Sequence, residues 1–215
     1  TQSIGYNLTS SSDGPKVLRL WALDAAGNIS ASASSLTVEL DTAPPTTSIS
    51  SSLAAINNAT SQSIAFNATD NGGSIAHFEC KLNGGSFSAC SSPKTYSGLV
   101  QGVHTFSVQA VDTAGNTSTP ASTSWTVDLT PPILSFSATP NSFTNSLSST
   151  FAFSGSDTGG GSIARYECKL DSGSYSICPS PKIDVLTAGA HTLLVRAFDT
   201  AGNASDVLSY SWTID

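Results

Sequence analysis

Along most of this chain, apolar and polar residues alternate in short bursts. In residues 103–112 (VHTFSVQAVD), Phe106, Val108 and Ala110 share one phase of a period-two pattern, as do Ile64, Phe66 and Ala68, and then Trp125 and Val127. A strand sends alternate side chains to opposite faces, so each set marks a face that turns inward. Clusters of Gly, Pro, Asn and Asp punctuate the bursts. Strands are therefore expected near 46–51, 61–69, 75–82, 86–91, 94–99, 103–112 and 121–128. About seven short strands in so little chain predict an all-β sandwich.

The same order of elements then returns. Residues 41–127 contain DTAPP, DNGGSIAHFECKLNGGSFSAC, SSPK, GVHTFSVQAVDTAGN and SWTVD; residues 128–215 contain DLTPP, DTGGGSIARYECKLDSGSYSIC, PSPK, GAHTLLVRAFDTAGN and SWTID. A period of about 87 residues marks a repeat array. Residues 1–40 match only the back half of the unit, with LRLWALDAAGN aligned to FSVQAVDTAGN. The expected domains are a half-module at 1–40 and complete modules at 41–127 and 128–215. A half-module of three strands leaves one face bare. It needs the missing first half or strands lent by another chain, and truncation is the simpler reading.

The third copy places Phe151, Phe153, Leu193, Val195, Ala197, Trp212 and Ile214 where the second has its inward set. Recurrence on the inward phase makes Trp125 and Trp212 core residues. Trp21 differs: Leu18, Leu20 and Ala22 take the inward phase and leave it pointing outward, where later copies carry Gln109 and Arg196. It is the candidate contact residue of the chain.

Composition narrows the partners. Charged residues are 11%, well below the ~25% of ordinary soluble domains, so the surface is polar but nearly uncharged. The net charge of -7 comes without any cluster of Lys or Arg, which argues against nucleic acid. No apolar run approaches the ~20 residues needed to span a bilayer. The opening TQSIGYNLTS lacks the features of a signal peptide, and the sequence contains no methionine. It is read as a piece of a longer, processed polypeptide.

Four cysteines sharpen the compartment. Cys80 and Cys90 lie symmetrically about Gly85, and Cys168 and Cys178 about Gly173, in segments whose alternation and turn residues suggest hairpins. Four cysteines allow three pairings, but the recurrence of one pair per complete unit favours Cys80 with Cys90 and Cys168 with Cys178. The two sulfurs would then face each other across neighbouring strands. Closing so short a loop stabilises by roughly 3 kcal/mol on the chain-entropy model. It also implies an oxidising, extracellular or cell-surface location. A zinc site would need CxxC-like spacing, which is absent.

The string FECKLNGGSFSACSSPKTYSGLVQGVHTFSVQAVDTAGN, followed by SWTVD and a D-x-x-P-P start, resembles the bacterial immunoglobulin-like repeats found in tandem in secreted and cell-surface proteins. The run Leu99, Gly102, His104, Phe106 is similar to the corner before strand F of fibronectin type III modules. The resemblance implies tandem immunoglobulin-like sandwiches in an elongated array, used as stalks, spacers or adhesive segments. His104 and His191 are expected to hydrogen-bond backbone at that corner; Lys16 takes the place in the first unit, so imidazole chemistry is not required.

Among the acidic residues, Asp24, Asp112 and Asp199 recur at D-[AT]-A-G-N, Asp41, Asp128 and Asp215 at unit boundaries, and Asp70 with Asp157 and Glu79 with Glu167 elsewhere. Asp24, Asp112 and Asp199 fit a tight turn in which the carboxylate accepts backbone hydrogen bonds. Related repeat adhesins and cadherin-like arrays bind calcium at module junctions, and that resemblance makes Asp24, Asp41, Asp112, Asp128 and Asp199 the candidate calcium ligands. No dense DxDxD loop is present. Apart from calcium, no cofactor is expected. Glu79 and Glu167 read as solvated cross-strand partners.

Catalysis finds no motif: the histidines are few, and His77 is replaced by Arg165 in the next unit. Pro44-Pro45 and Pro131-Pro132 begin each unit directly after the last strand of the one before, which predicts short, stiff joints. Strands of up to ten residues give units roughly 35 Å long and a rod of about 80–100 Å. The expected function is a non-catalytic structural stalk or spacer of a larger bacterial surface or secreted protein, whose partners are other modules of the same chain. The alternatives are an adhesive module that binds a second copy, a glycan or a protein on another cell, and an accessory module of an extracellular hydrolase.

Overall fold

The computed structural model describes residues 12–215, so the first eleven residues of the expected half-module lie outside it. Every regular element among the described residues is a β-strand, so the fold is all-β. Among the described residues no helix is long and apolar enough to cross a membrane.

In the first unit of the sequence, β1 (Gly14–Leu20) and β2 (Ser34–Leu40) pair antiparallel, with Leu18 opposite Leu36. The second contains β3 (Thr46–Ile49), β4 (Ile56–Asn57), β5 (Ser61–Ile64), β6 (Phe66–Thr69), β7 (Ile75–Leu82), β8 (Ser88–Cys90), β9 (Lys94–Ser97), β10 (Gly102–Asp112) and β11 (Ala121–Val127). The third contains β12 (Ile133–Ala138), β13 (Phe143–Thr144), β14 (Ser148–Ser156), β15 (Ile163–Leu170), β16 (Ser176–Ile177), β17 (Lys182–Val185), β18 (Gly189–Asp199) and β19 (Leu208–Ile214). Two compact units form. One holds the described residues up to Ser51 with Ile64–Lys94 and Phe106–Thr123, the other Ser52–Ser63, Thr95–Thr105 and Ser124–Asp215.

The third repeat shows most directly how alternation becomes a core. Its strands form a three-stranded sheet, β12-β14-β17, and a five-stranded sheet, β13-β19-β18-β15-β16. Phe151 and Phe153 from β14, Cys168 from β15, Leu193 and Val195 from β18 and Trp212 and Ile214 from β19 form one buried cluster. Phe151 meets Trp212 edge to face with ring centroids 4.9 Å apart. Burying a large apolar side chain contributes about 1.5–3 kcal/mol, so this cluster stabilises the third repeat substantially. The second repeat uses the same order, β4-β11-β10-β7-β8, beside the pairs β3-β6 and β5-β9.

The structure departs from the periodic reading in three places. The strand expected over 61–69 breaks at Ala65, because β6 pairs with β3 while β5 pairs with β9. Ala65 faces Ser51 instead, donating its N–H to the Ser51 hydroxyl at 2.7 Å and accepting the N–H of Ser50 at 2.9 Å. The two-residue strands β4 and β13 have no counterpart in the periodic pattern; each pairs parallel with the last strand of its repeat, β11 and β19. The cysteines sit diagonally rather than face to face: Cys80 lies opposite Ser88 and Cys90 opposite Phe78. Diagonal neighbours remain within reach, and the disulfides Cys80–Cys90 and Cys168–Cys178 each span 5.8 Å between Cα atoms.

Candidate metal centre

The D-x-A-G-N segment folds the same way in all three copies. Asp112 closes β10, and its Oδ1 accepts the N–H groups of Ala114 (2.9 Å) and Asn116 (2.8 Å) while its Oδ2 accepts the Asn116 side-chain amide (2.9 Å). Asp199 accepts the N–H of Asn203 at 2.8 Å and its side-chain amide at 2.8 Å. Asp24 accepts the corresponding bonds from Ala26 and Asn28 at 2.8–2.9 Å. Glycine supplies the left-handed residue, with φ of 88° at Gly27, 96° at Gly115 and 101° at Gly202. Burial opposes ionisation of Asp112, yet the bonds from Asn116, Gly115 and Ala114 outweigh it and hold that carboxyl below its usual range. At Asp24 the Asn28 side chain leads the same lowering.

The asparagine of the turn also reaches back to the start of its repeat. Asn116 donates to the Asp41 carbonyl at 3.1 Å, and Asn203 to the Asp128 carbonyl at 2.8 Å. This contact brings the boundary aspartate beside the turn. A third aspartate arrives from the loop after the second long strand: Asp70 follows β6, and Asp157 follows β14. Carboxylate oxygens of Asp41, Asp70 and Asp112 lie within 4.8 Å of one another, and those of Asp128, Asp157 and Asp199 do the same. Asp112, Asp128 and Asp199 are buried.

Glycines make room for these triads. A Cβ on Gly73 would stand 2.7 Å from Asp41 Oδ2 and 3.1 Å from Asp70 Oδ2, and one on Gly161 would stand 2.7 Å from Asp157 Oδ2 and 2.8 Å from Asp128 Oδ2. The hydroxyls of Thr113 and Thr200 border the same spaces, 3.4 Å and 3.2 Å from those positions. The donor set is all oxygen, the chemistry of a hard cation.

Of the expected calcium ligands, Asp41 and Asp112 belong to one triad and Asp128 and Asp199 to the other. Asp24 belongs to neither. Among the described residues it is in no cluster of three such ligands. The sequence marks Asp70 and Asp157 only as recurrent acids. The available signal was the glycine run after each, D-N-G-G and D-T-G-G-G, which a plain surface loop would not need.

The other singled-out residues have structural surroundings. Trp125 and Trp212 are 2% exposed. His104 and His191 each bond a backbone carbonyl four residues earlier, Val100 at 2.8 Å and Thr187 at 2.9 Å, and Lys16 reaches the Ser12 hydroxyl across the same interval. Glu167 is more covered than a solvated partner, with its side chain 15% exposed between Arg165 and Arg196 at 2.9 and 2.7 Å. Glu79 accepts from Gln109 at 2.7 Å. Trp21 is 51% exposed and lines an open depression with Ala22, Leu23 and Ile29.

No protein-family model matches the chain, and no curated protein matches it. Among solved structures, it is similar to the fibronectin(III)-like modules of CbhA from Clostridium thermocellum, with 20% identity, a TM-score of 0.47, and coverage of 79% of this chain and 94% of that one. It is also similar to the D00-D0 domain of intimin, with 9% identity, a TM-score of 0.35, and coverage of 80% and 99%.

Proposed function

We propose that the chain is a non-catalytic spacer segment of a larger extracellular or cell-surface protein. The supporting observation is how the recurrent residues are used. The cysteines close hairpins, the tryptophans fill cores, the histidines bond corner carbonyls and the turn aspartates organise their own loops. The apolar depression at Trp21, Ala22, Leu23 and Ile29 offers no acid, base or nucleophile. Two disulfides fit an oxidising compartment.

Trp21 favours the second reading, adhesion, because large exposed aromatics anchor contacts. A screen of the purified chain on a glycan array and on intact cells separates the two. The spacer reading expects no saturable binding. Saturable binding that Trp21→Ala abolishes would replace it with the adhesive one.

A further inference from the structure

We propose that each aspartate triad is a calcium site, Asp41, Asp70 and Asp112 forming one and Asp128, Asp157 and Asp199 the other. The acids alone would not carry this, since clustered carboxylates are common. The second observation is the state of their oxygens. Both oxygens of Asp70, Asp41 Oδ2 and Asp157 Oδ2 are sealed from solvent and accept no hydrogen bond. A buried carboxylate without a donor is costly, and a buried charge needs a partner. None of the six aspartates joins an ion pair among the described residues; those pairs involve Glu79, Glu167, Asp171 and Asp184.

The remaining oxygens of Asp41 and Asp157 are engaged, accepting N–H groups from Ala43 and Gly159 at 3.1 Å. Asp41 Oδ2 and Asp70 Oδ2 border the same small space beside Gly73, and Asp157 Oδ2 borders the one beside Gly161 together with Asp128 Oδ2, which accepts the Gly161 N–H at 2.9 Å. An ion between them would meet one oxygen from each of three segments: the chain just after the preceding strand, the loop after β6 or β14, and the end of β10 or β18. The 4.8 Å limit on oxygen separations is about twice a calcium–oxygen bond of ~2.4 Å. A cation carries the compensating charge that the protein does not supply. The arrangement occurs twice, built from separate residues in each complete repeat. This inference is independent of the spacer reading.

The test is isothermal titration calorimetry of the whole chain, stripped with a chelator, against calcium chloride, with thermal unfolding in parallel. Two calcium ions per chain are expected, with a rise in melting temperature of roughly 5–10 °C at saturating ion. Asp70→Asn and Asp157→Asn should each leave one site, and the double variant none. In chelator the single variants should melt at or above the unsubstituted chain, because a repelling charge has gone; a merely structural role for the carboxylates would lower their melting temperature. Absence of both heat and thermal shift at millimolar calcium would overturn the proposal, as would a double variant that keeps its calcium response. Saturation by magnesium at the same concentrations would overturn the assignment to calcium.

Discussion

The hairpin β1–β2 and its counterpart β18–β19 carry one sequence pattern in two settings. Leu20 occupies the place of Val195 and Trp21 that of Arg196, and the two D-x-A-G-N turns share their hydrogen bonds. Yet Leu20 is 65% exposed and Leu36 61%, while Leu193 and Val195 are wholly buried. The turn and the pairing need only the hairpin, whereas burial needs a second layer. The acid triad follows the same rule. Asp24 has its turn, but its neighbours come from segments that only the complete repeats present.

The largest expected contrast is between tryptophans. Trp212→Ala should destabilise the third repeat by about 3–5 kcal/mol, whereas Trp21→Ala should cost under ~0.5 kcal/mol, both read by urea unfolding. Equal costs would show that the first hairpin has a hidden cover. Next come the cross-links that the first hairpin lacks: replacing Cys168 and Cys178 together by serine should cost roughly 2–3 kcal/mol on the chain-entropy model. Loss comparable to a single surface substitution would mean the β15–β16 hairpin is held by other contacts.

The smallest effect is a pH dependence at the corner residue. His191 donates to Asp171 and to the Thr187 carbonyl, each at 2.9 Å, a geometry that suits the doubly protonated ring. The Asp171 carboxylate leads the rise of its pKa above 6.5. Its contribution is therefore complete below pH 6.5 and is lost as pH rises through the raised folded value. Unfolding free energies between pH 5.5 and 8.5 should decline by less than about 1 kcal/mol from this pair. The decline should vanish in His191→Lys, which places in the third repeat the residue found at Lys16.

Alternation along Phe106, Val108 and Ala110 or Leu193, Val195 and Ala197 made the long strands and their inner faces legible in the sequence, because burial on one side selects a period of two. The strands β4 and β13 were illegible, since two residues show no period and their parallel partners lie far along the chain. The break at Ala65 depends on a change of neighbour, which is not a local property. The turn role of Asp112 and Asp199 was readable from D-x-A-G-N. Their meeting with Asp70 and Asp157 was not, because it depends on how loops converge from three segments.

The short parallel strands tie the last strand of each complete repeat to an early segment of the same repeat. In the third repeat, Thr213 donates to Ser142 at 2.9 Å and Asp215 to Thr144 at 3.0 Å; in the second, Thr126 donates to Ala55 at 2.8 Å and Asp128 to Asn57 at 2.9 Å. A pull directed along β4 and β11, or along β13 and β19, would draw these parallel neighbours in opposite directions along their own length. Both bonds of each pair then bear the load together and must break together, where an antiparallel pair gripped at one end would unzip one bond at a time. Under such a pull the two bonds of each pair would resist in parallel, whatever the rest of the sandwich contributes to equilibrium stability.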